Sequence, residues 1–316
     1  MRKYKIIANP TAGRGAGERA IPHIERFLTK HGLDFDLVRT KHRWHAAELA
    51  REAVFAEYDV IVAAGGDGTA NEVINGLMEA KQAGQHSFAL GVLGVGRGSD
   101  FAHGVGVPGD LERACQALAE DHRRTIDIGR VAGGLYPQGR YFGNCVGVGF
   151  DAIATIEVAK LPRLGGFLNF FVAVLKTIFL YYQAPLTTIE YDGGHGGLTL
   201  TQPSLMISIM NGQRLGGGFW MAPDAEPGDG LFDLCIAGEM SRARMFGLIA
   251  HFLRGTQATQ EEITTGQATE ISITAVEGSL PAQTDGEILC IDGQRLEIEL
   301  LPRQIEVICL PPGGVQ

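Results

Sequence analysis

Alternation between short apolar runs and helical patterns fills the first 128 residues and constrains the fold more than any other feature of the sequence. Val60–Ala64 and Phe88–Val95 are continuous apolar runs of strand length, which is typical of parallel strands covered on both faces. Around them lie segments with apolar residues at helical spacing, such as Glu18–Lys30 and Asn71–Ala80. Strands that alternate with helices in this way predict an open, doubly wound α/β sheet.

The pattern changes after about Asp127, where the strand candidates become shorter and glycine becomes denser. Short strands at this spacing predict a β-rich second domain, a sandwich or a related form. The strand candidates are Ile189–Tyr191, Leu198–Thr201, Leu205–Met210, Leu231–Ile236, Thr269–Thr274, Leu296–Leu300 and Ile305–Leu310, and Arg242–Leu253 is a helix candidate.

Residues 166–182 form a strongly apolar stretch with Lys176 as its only charge. The stretch is shorter than the roughly 20 apolar residues that span a bilayer. One interpretation is a buried or domain-bridging helix. The other is a helix whose exposed face touches lipid, helped by the neighbouring Lys160 and Arg163.

Charge and cysteine usage exclude several classes of protein. Acidic residues outnumber basic ones by 36 to 27, and the net charge of -9 argues against a nucleic-acid-binding protein. The five cysteines are scattered and include no CxxC pair, so neither a disulfide framework nor a zinc site is indicated. The first apolar stretch is too short for a signal peptide. Together these features predict a cytoplasmic, reducing setting.

The strongest local signal is AGGDGTANE at residues 64–72, which follows a buried strand and leads into a helix. Glycines let the backbone come close to a bulky anion, and the free N–H groups of a helix start point towards it. An aspartate in such an anion site would repel the ligand, so Asp67 indicates Mg²⁺ or a water chain that leads to it. The alternative is a tight glycine turn in which Asp67 caps the helix.

Two further glycine-rich loops follow strands, NPTAGRGAG at residues 9–17 and GVGRGSDFA at residues 94–102. Neither matches the GxGxxG dinucleotide motif or the Walker A sequence, so those assignments lose support. Arg14 and Arg97 are candidates for phosphate contacts. Loops at the ends of successive strands line one edge of an open α/β sheet, where such sheets bind ligands.

Five motifs carry a resemblance to a known family. They are NPxxG from residue 9, GGDGTxNE from residue 65, YFGNCVGVGFDA at 141–152, a glycine-rich stretch at 211–231 and TDGE at 284–287. Together they resemble the diacylglycerol kinase catalytic domain of the bacterial soluble lipid kinases, a group that includes sphingosine-kinase-like enzymes. GGDGT alone is shared with NAD kinases and, more distantly, phosphofructokinases, and the later motifs separate the lipid kinases from both.

The resemblance implies a fold and a division of the chain. Residues 1–128 would form an NAD-kinase-like α/β domain that binds ATP, and residues 129–300 a β-sandwich domain for the lipid substrate. Residues 301–316 would return to the first domain.

The resemblance also implies an ATP site. In the third loop the family usually has threonine where this chain has Arg97 and asparagine where it has Ser99, so the contact made by Arg97 is an open question. As a charged donor, Arg97 could still pair with a phosphate. The implied ATP-binding residues are Asn9, Pro10, Thr11, Gly13, Thr40, Gly66, Asp67, Gly68, Thr69, Asn71, Glu72 and Arg97.

Glu287 corresponds to the general base of the family, with Asp67 as a second catalytic residue. An alcohol nucleophile must lose its proton while the γ-phosphoryl group moves, and a carboxylate can accept that proton. The tripeptide Asp285-Gly286-Glu287 taken alone favours a type I′ hairpin turn, and only the other motifs favour the catalytic interpretation.

Two Mg²⁺ sites are implied. Asp67, Asp100 and Asp127 would form a network of carboxylates and water around a catalytic Mg²⁺. A second, structural Mg²⁺ would be bound by the Asp229 carboxylate and by backbone oxygens of Glu226 and Leu231. Oxygen ligands suit this hard ion.

The resemblance therefore predicts an ATP-dependent lipid kinase acting on a lipid alcohol such as diacylglycerol, with transient contact at the inner face of the membrane. The alternatives are an NAD kinase and a non-catalytic protein that binds nucleotide and lipid in a regulatory role. A homodimer is left open. His42 and His45 show no third metal ligand in the sequence and are interpreted as part of a solvated face.

Overall fold

A computed structural model describes residues 2–95, 99–160, 166–180, 182–193 and 197–311. The chain divides into two compact units, the first made of Met1–Ile126 and Arg303–Gln316 and the second of Asp127–Pro302. The predicted assignment of an ATP-binding and a lipid-binding role to separate domains stays a prediction.

Unit 1 contains a parallel sheet with the strand order β2 (Asp34–Arg39), β1 (Lys3–Ala8), β3 (Val60–Gly65) and β4 (Ala89–Gly94). The end of the last strand of the chain, β17 (Arg295–Ile308), lies parallel to β4. The predicted α/β fold class is confirmed here. All six residues of β3 are buried, as its continuous apolar sequence predicted. The elements are β1 (Lys3–Ala8), α1 (Ala12–Lys30), β2 (Asp34–Arg39), α2 (His45–Phe55), β3 (Val60–Gly65), α3 (Asp67–Gln82), β4 (Ala89–Gly94), α4 (Asp100–Gly104), α5 (Leu111–Glu120) and β17 (Arg295–Ile308).

Hydrogen bonds between strand ends fix one edge of this sheet. The amide of Asn9 donates to the carbonyl of Ala64, and the amide of Thr40 donates to the carbonyl of Ala8, each at 2.9 Å. The amide of Val95 donates to the carbonyl of Gly65 at 2.9 Å. These bonds hold the segments that leave β1, β2, β3 and β4 at a common edge, where the glycine-rich loops begin.

Unit 2 consists mainly of antiparallel strands. It begins within β5 (Arg123–Gly133), whose first four residues belong to unit 1. The elements that follow are β6 (Tyr136–Phe142), β7 (Cys145–Gly149), α6 (Phe150–Lys160), α7 (Gly166–Leu180), β8 (Leu186–Tyr191), β9 (Leu198–Met210), β10 (Arg214–Leu215), β11 (Phe219–Trp220), β12 (Phe232–Gly238), α8 (Arg242–Arg254), β13 (Ile263–Ala268), β14 (Glu270–Ala275), β15 (Leu280–Thr284), β16 (Glu287–Gly293) and the first part of β17. The predicted β-sandwich class is confirmed for this region.

The long strand β9 belongs to both sheets of the sandwich. Residues 198–203 pair with β8, whereas residues 204–210 lie between β7 and β12. The prediction of two separate strands at Leu198–Thr201 and Leu205–Met210 was therefore wrong. Pro203, between the two predicted segments, lies where the strand passes from one sheet to the other.

The end of the chain shows a similar difference. Leu296–Leu300 and Ile305–Leu310 were predicted as separate strands, but β17 runs through both, and Arg303 has a positive φ of 51°. The strand continues through this irregularity. Residues 150–160 were not predicted as a helix, because apolar residues are distributed around the whole of α6 and leave no helical stripe.

The second sheet of the sandwich is covered on both faces. Ile207 and Ile209 of β9 pack into the core between the sheets, whereas Met206 and Met210 pack under the helices α6, α7 and α8. This alternation explains why residues 204–210 are all buried. Within the described part of the chain, no helix combines the length and apolar character needed to cross a membrane.

Candidate active site

Asn9 links the first glycine-rich loop to the GGDGT loop. Its side-chain amide donates to Thr69 Oγ1 at 3.0 Å, and its Oδ1 accepts from both the backbone amide and the hydroxyl of Thr11. Gly17 packs so closely that a Cβ there would overlap the Asn9 carbonyl oxygen. Asn9, Thr11 and Thr69 are thus brought together, as the sequence predicted for a ligand-binding loop.

The start of α3 leaves space for an anion. Gly66 precedes this 16-residue helix in an extended conformation, and a Cβ built on it would have no described atom within 4 Å. A Cβ on Gly65, by contrast, would overlap the Thr69 side chain. The open position therefore lies at Gly66, where the free N–H groups of the helix favour a bound anion.

Asp67 holds the third loop. Its Oδ1 accepts from Ser99 Oγ at 2.8 Å and from the amide of Phe101 at 3.1 Å, while Oδ2 accepts from the amide of Asp100 at 3.2 Å. Burial, and then the charge of Asp100, raise the pKa of Asp67 to about 6. The two nearby carboxyls make this a place where a cation would be stabilised. Oδ2 accepts one of these hydrogen bonds and retains capacity for a metal ion or its water, so the residues fit Mg²⁺.

The other predicted nucleotide contacts, Thr40, Asn71 and Glu72, differ in their surroundings. Thr40 lies at the sheet edge beside Ala8, and Asn71 is buried in α3. Glu72 accepts the amide of Ala46 at 3.1 Å and so stabilises the start of α2. In the structure Glu72 therefore has a helix-capping contact that the sequence did not predict.

The first loop contains three successive residues with positive φ, Gly13, Arg14 and Gly15. Their conformation delays the regular part of α1 and leaves Arg14 exposed. Arg97, the predicted phosphate contact of the third loop, lies outside the described residues.

His42 and His45 have a third neighbour that the sequence did not show, because Glu48 on α2 lies alongside them. However, His45 Nδ1 accepts the amide of Lys41 at 2.9 Å, so the neutral ring carries its proton on Nε2. Neither nitrogen of His45 is then free to bind a metal ion.

In unit 2, Asp285-Gly286 is the two-residue turn between β15 and β16. The φ values are 46° and 83°, as a type I′ turn requires. The Asp285 carboxylate accepts the amides of Gly143, Asn144 and Cys145 at 2.9, 3.1 and 2.9 Å. The hairpin interpretation of the tripeptide is correct, and the turn also holds the loop of the motif at 141–152.

Glu287 is the first residue of β16 and is half-buried, directly after this turn. On the other strand, Gln283 Oε1 accepts the amide of Gly286 at 2.8 Å, and Thr284 Oγ1 donates to the carbonyl of Cys145 at 2.9 Å. The position of Glu287 therefore follows from a turn that is held by hydrogen bonds of Gln283, Thr284 and Asp285.

Asp127 contacts the predicted structural metal loop. Its carboxylate accepts the amide of Gly230 at 2.7 Å, and its own amide donates to the carbonyl of Pro227 at 2.7 Å. Asp229 Oδ1 accepts the amide of Leu231 at 3.0 Å, and the Glu226 carbonyl accepts the amide of Asp229 at 3.2 Å. Asp67 and Asp100 belong to unit 1, so the structure of either unit alone does not assemble the predicted set of three carboxylates.

An apolar cavity of about 70 Å³ lies beneath α6, α7 and α8 in unit 2. Asp151 is the one ionisable residue among its described lining residues, and burial raises the pKa of Asp151 to about 7. Asp151 Oδ2 accepts from Gln283 Nε2 at 3.2 Å, while Oδ1 makes no hydrogen bond in the described part of the chain.

Sequence reasoning quoted Asp151 only as part of a motif and did not select Gln283. Asp151 could have been noticed as an acid within an apolar run, and Gln283 as a polar residue in a short apolar strand. Neither signal alone distinguishes a functional site from a buried polar group that is hydrogen-bonded in the core.

Two family models match this chain. The model described as diacylglycerol kinase catalytic domain covers residues 3–131, and the model described as YegS C-terminal NAD kinase beta sandwich-like domain covers residues 144–309.

Among relatives, the diacylglycerol kinase of Bacillus subtilis (strain 168) is 31% identical over 290 residues, which cover 91% of this chain and 90% of that protein. The diacylglycerol kinase of Staphylococcus carnosus (strain TM300) is 28% identical over 292 residues, covering 91% and 89%.

Two solved structures show the fold. A crystal structure described as a diacylglycerol kinase from Bacillus anthracis str. Sterne has a TM-score of 0.73 at 22% identity and covers 98% of this chain and 97% of that chain. An NAD kinase from Archaeoglobus fulgidus in complex with ATP has a TM-score of 0.50 at 14% identity and covers 97% and 93%.

Proposed function

Because this chain belongs to the diacylglycerol kinase family, we propose that it transfers the γ-phosphoryl group of ATP to a hydroxyl of a membrane lipid such as diacylglycerol. Family membership makes the chain a kinase with an alcohol acceptor. The observation that carries the lipid part of the proposal is the apolar cavity of unit 2.

This cavity suits acyl chains better than a polar substrate. Four of the seven methionines of the chain line it, namely Met206, Met221, Met240 and Met245. Methionine side chains are unbranched and flexible, so they can rearrange around a chain that enters. A dinucleotide would instead need several polar groups in the wall, and the described lining offers Asp151 alone as a polar residue.

The nucleotide part of the proposal rests on the start of α3. The open position at Gly66 and the link from Asn9 to Thr69 support a phosphate site there. The Archaeoglobus fulgidus NAD kinase, which shares the fold, was solved with ATP. We assign the nucleotide contacts to the predicted residues from Asn9 to Gly13, Thr40 and Gly66–Asn71, and we assign Glu72 a helix-capping role in addition.

Asp67 and Asp100 would hold a catalytic Mg²⁺ with its water, and Asp127 is proposed to complete the network. When bound, this ion neutralises the negative charge that develops on the transferred phosphoryl oxygens. The loop formed by Glu226, Asp229 and Leu231 is proposed for a second, structural ion, since a carboxylate and backbone oxygens suit Mg²⁺.

Glu287 is the proposed general base. Its carboxylate accepts the proton of the lipid hydroxyl as that oxygen bonds to the γ-phosphorus, while the bond from this phosphorus to the bridging oxygen of ADP breaks. The hairpin holds Glu287 at the end of a strand, which is a more rigid support than a free loop.

Membrane contact at the cytoplasmic face is proposed through α7. Leu168, Phe179 and Leu180 on this helix are 50%, 63% and 61% exposed. Lys160 and Lys176 both pair with the buried Glu157, so two positive charges share one negative charge near this helix. Phe179→Ser should reduce co-sedimentation of the protein with anionic vesicles. The control is Phe55→Ser, which changes an exposed phenylalanine of α2 and should leave co-sedimentation unchanged. Equal binding of the two variants to vesicles would show that α7 is not part of the docking surface.

The kinase proposal is tested with purified protein, Mg²⁺, radiolabelled ATP and a panel of lipid alcohols in mixed micelles. Diacylglycerol should yield phosphatidic acid, and Glu287→Gln should lower kcat at least about 100-fold, the lower end of general-base effects. The melting temperature of this variant should stay close to that of the unchanged protein, since Glu287 is only half-buried.

Two further measurements with the same purified protein separate the alternatives. Formation of NADP from NAD would support an NAD kinase instead. Binding of ATP, seen as a thermal shift, without phosphorylation of any lipid in the panel would support the regulatory alternative and contradict the lipid kinase.

A further inference from the structure

A hydrogen-bonded link joins the wall of the apolar cavity to the turn that precedes Glu287. Gln283 Nε2 donates to Asp151 Oδ2 at 3.2 Å, and Gln283 Oε1 accepts the amide of Gly286 at 2.8 Å. Gln283 is fully buried in β15, so both ends of its amide are used inside the protein. The link connects the first turn of α6 with the residue immediately before Glu287.

The neighbouring strand leaves room for this link. Gly147 of β7 pairs with Gln283, and a Cβ on Gly147 would overlap Asp151 Oδ2 and lie 2.7 Å from Gln283 Nε2. A side chain at Gly147 would therefore displace the hydrogen bond. Glycine in a strand interior often marks such a close approach.

Asp151 is suited to be the fixed end of the link. It is 3% exposed, and the raised pKa means that near neutral pH a large fraction of the carboxyl is uncharged. An uncharged carboxyl can stay buried without a cation and still accept from Gln283 through Oδ2.

We propose that Gln283 is a positioning residue for Glu287, which it holds by connecting the Asp151 carboxyl to the Gly286 amide. The inference rests on the proposed function, in which Glu287 accepts the proton of the lipid hydroxyl. Asp285 fixes the turn to the loop at residues 143–145, and Gln283 fixes it to α6, so the turn is held from two elements. A displacement of about 1 Å of a catalytic group can cost about 100-fold in rate.

The test is a double-mutant cycle. Gln283→Met keeps the length of the side chain and removes the hydrogen bonds to Asp151 and Gly286, together with a longer one from Nε2 to Cys145 Sγ at 3.8 Å. Gln267→Met is the matched control, because Gln267 Nε2 donates to Asp233 Oδ1 at the same distance of 3.2 Å on the exposed side of β13. Both substitutions are made in the unchanged protein and in Glu287→Gln, and kcat and KM are measured for diacylglycerol and ATP.

Gln283→Met should lower kcat about 10-fold to 100-fold with KM changed less than about threefold, and should lower it less than about twofold in the Glu287→Gln background. Gln267→Met should change neither. Equal losses in both backgrounds, or no loss from Gln283→Met, would overturn the positioning role and leave the lipid kinase proposal standing. Absence of lipid phosphorylation by the unchanged protein would overturn both.

The other end of the link provides a second test in case Gln283→Met does not fold. Asp151→Asn keeps an oxygen that can accept from Gln283, whereas Asp151→Leu has a similar shape and no acceptor. The asparagine variant should have a kcat about 10-fold above that of the leucine variant, and equal kcat values would contradict the link.

Discussion

Asp67 in unit 1 and Asp285 in unit 2 make nearly the same contacts. Each lies next to glycine shortly after a strand ends, and each carboxylate accepts three hydrogen bonds from one neighbouring segment. Asp67 accepts from residues 99–101, and Asp285 accepts from residues 143–145. Both therefore fix the shape of a glycine-rich loop.

The difference between them lies in the surrounding charge. The Asp100 carboxyl adds to burial in raising the pKa of Asp67, so a bound cation would be stabilised at this position. Asp285 lies in a left-handed turn beside the proposed base, and its three amide donors serve to hold that turn. Similar hydrogen bonds can thus serve metal binding in one unit and the placement of a base in the other.

The largest expected effect of this difference is on turnover. Asp67→Asn should lower kcat at least about 100-fold, because the carboxylate charge that would stabilise Mg²⁺ is removed. It should leave the melting temperature near that of the unchanged protein at pH 8, since the lost repulsion with Asp100 offsets the lost acceptor for the Asp100 amide. A large fall in melting temperature with little change in kcat would show that Asp67 resembles Asp285 more closely than proposed.

A large effect on stability is expected at Asp285. Asp285→Ala removes the acceptor of three amides and places alanine at a φ of 46°, so the free energy of unfolding should fall by about 4 kcal/mol. Asp285→Gly should recover about 1 kcal/mol of this loss by removing the strain of the left-handed conformation. Asp285→Asn, which tolerates that conformation and keeps one acceptor, should lie between the alanine variant and the unchanged protein.

Urea denaturation measures these differences. If the alanine and asparagine variants have equal free energies of unfolding, the hydrogen bonds to the loop at residues 143–145 contribute little.

The smallest expected effect concerns pH. The folded pKa values of Asp67, about 6, and Asp151, about 7, lie above the value near 4 of an unfolded aspartate. Each carboxyl therefore contributes stability that is fully present below about pH 4 and is lost as the pH rises through its folded pKa. The melting temperature in EDTA should fall between pH 5 and pH 8, less so in Asp67→Asn and in Asp151→Asn. Calorimetry that shows the same slope in all three proteins would contradict the raised pKa values.

In unit 1, sequence patterns predicted the strands Val60–Ala64 and Phe88–Val95 and the helices Glu18–Lys30 and Asn71–Ala80, because buried parallel strands are continuous apolar runs and their helices are amphipathic. The start of α1 at Ala12 and the short helix α4 were not predicted. Unit 2 was harder to predict. At Pro203 and Arg303 a local break in pattern lies inside a strand that continues, and pairing with neighbouring strands overrides the local signal. The polar and apolar residues of α6 are not segregated to opposite faces, so no helical stripe reveals it in the sequence.

The sequence alone determined the family, the order of the glycine-rich loops and the residue types available for phosphate, metal and proton transfer, since these depend on short motifs. Only the tertiary structure decided what each side chain contacts. Glu72 caps α2, Asp285 holds three amides, and Gln283 reaches from Asp151 to Gly286. Such contacts join residues far apart in the chain, and hydrogen-bond geometry exists only after the strands have been brought into register.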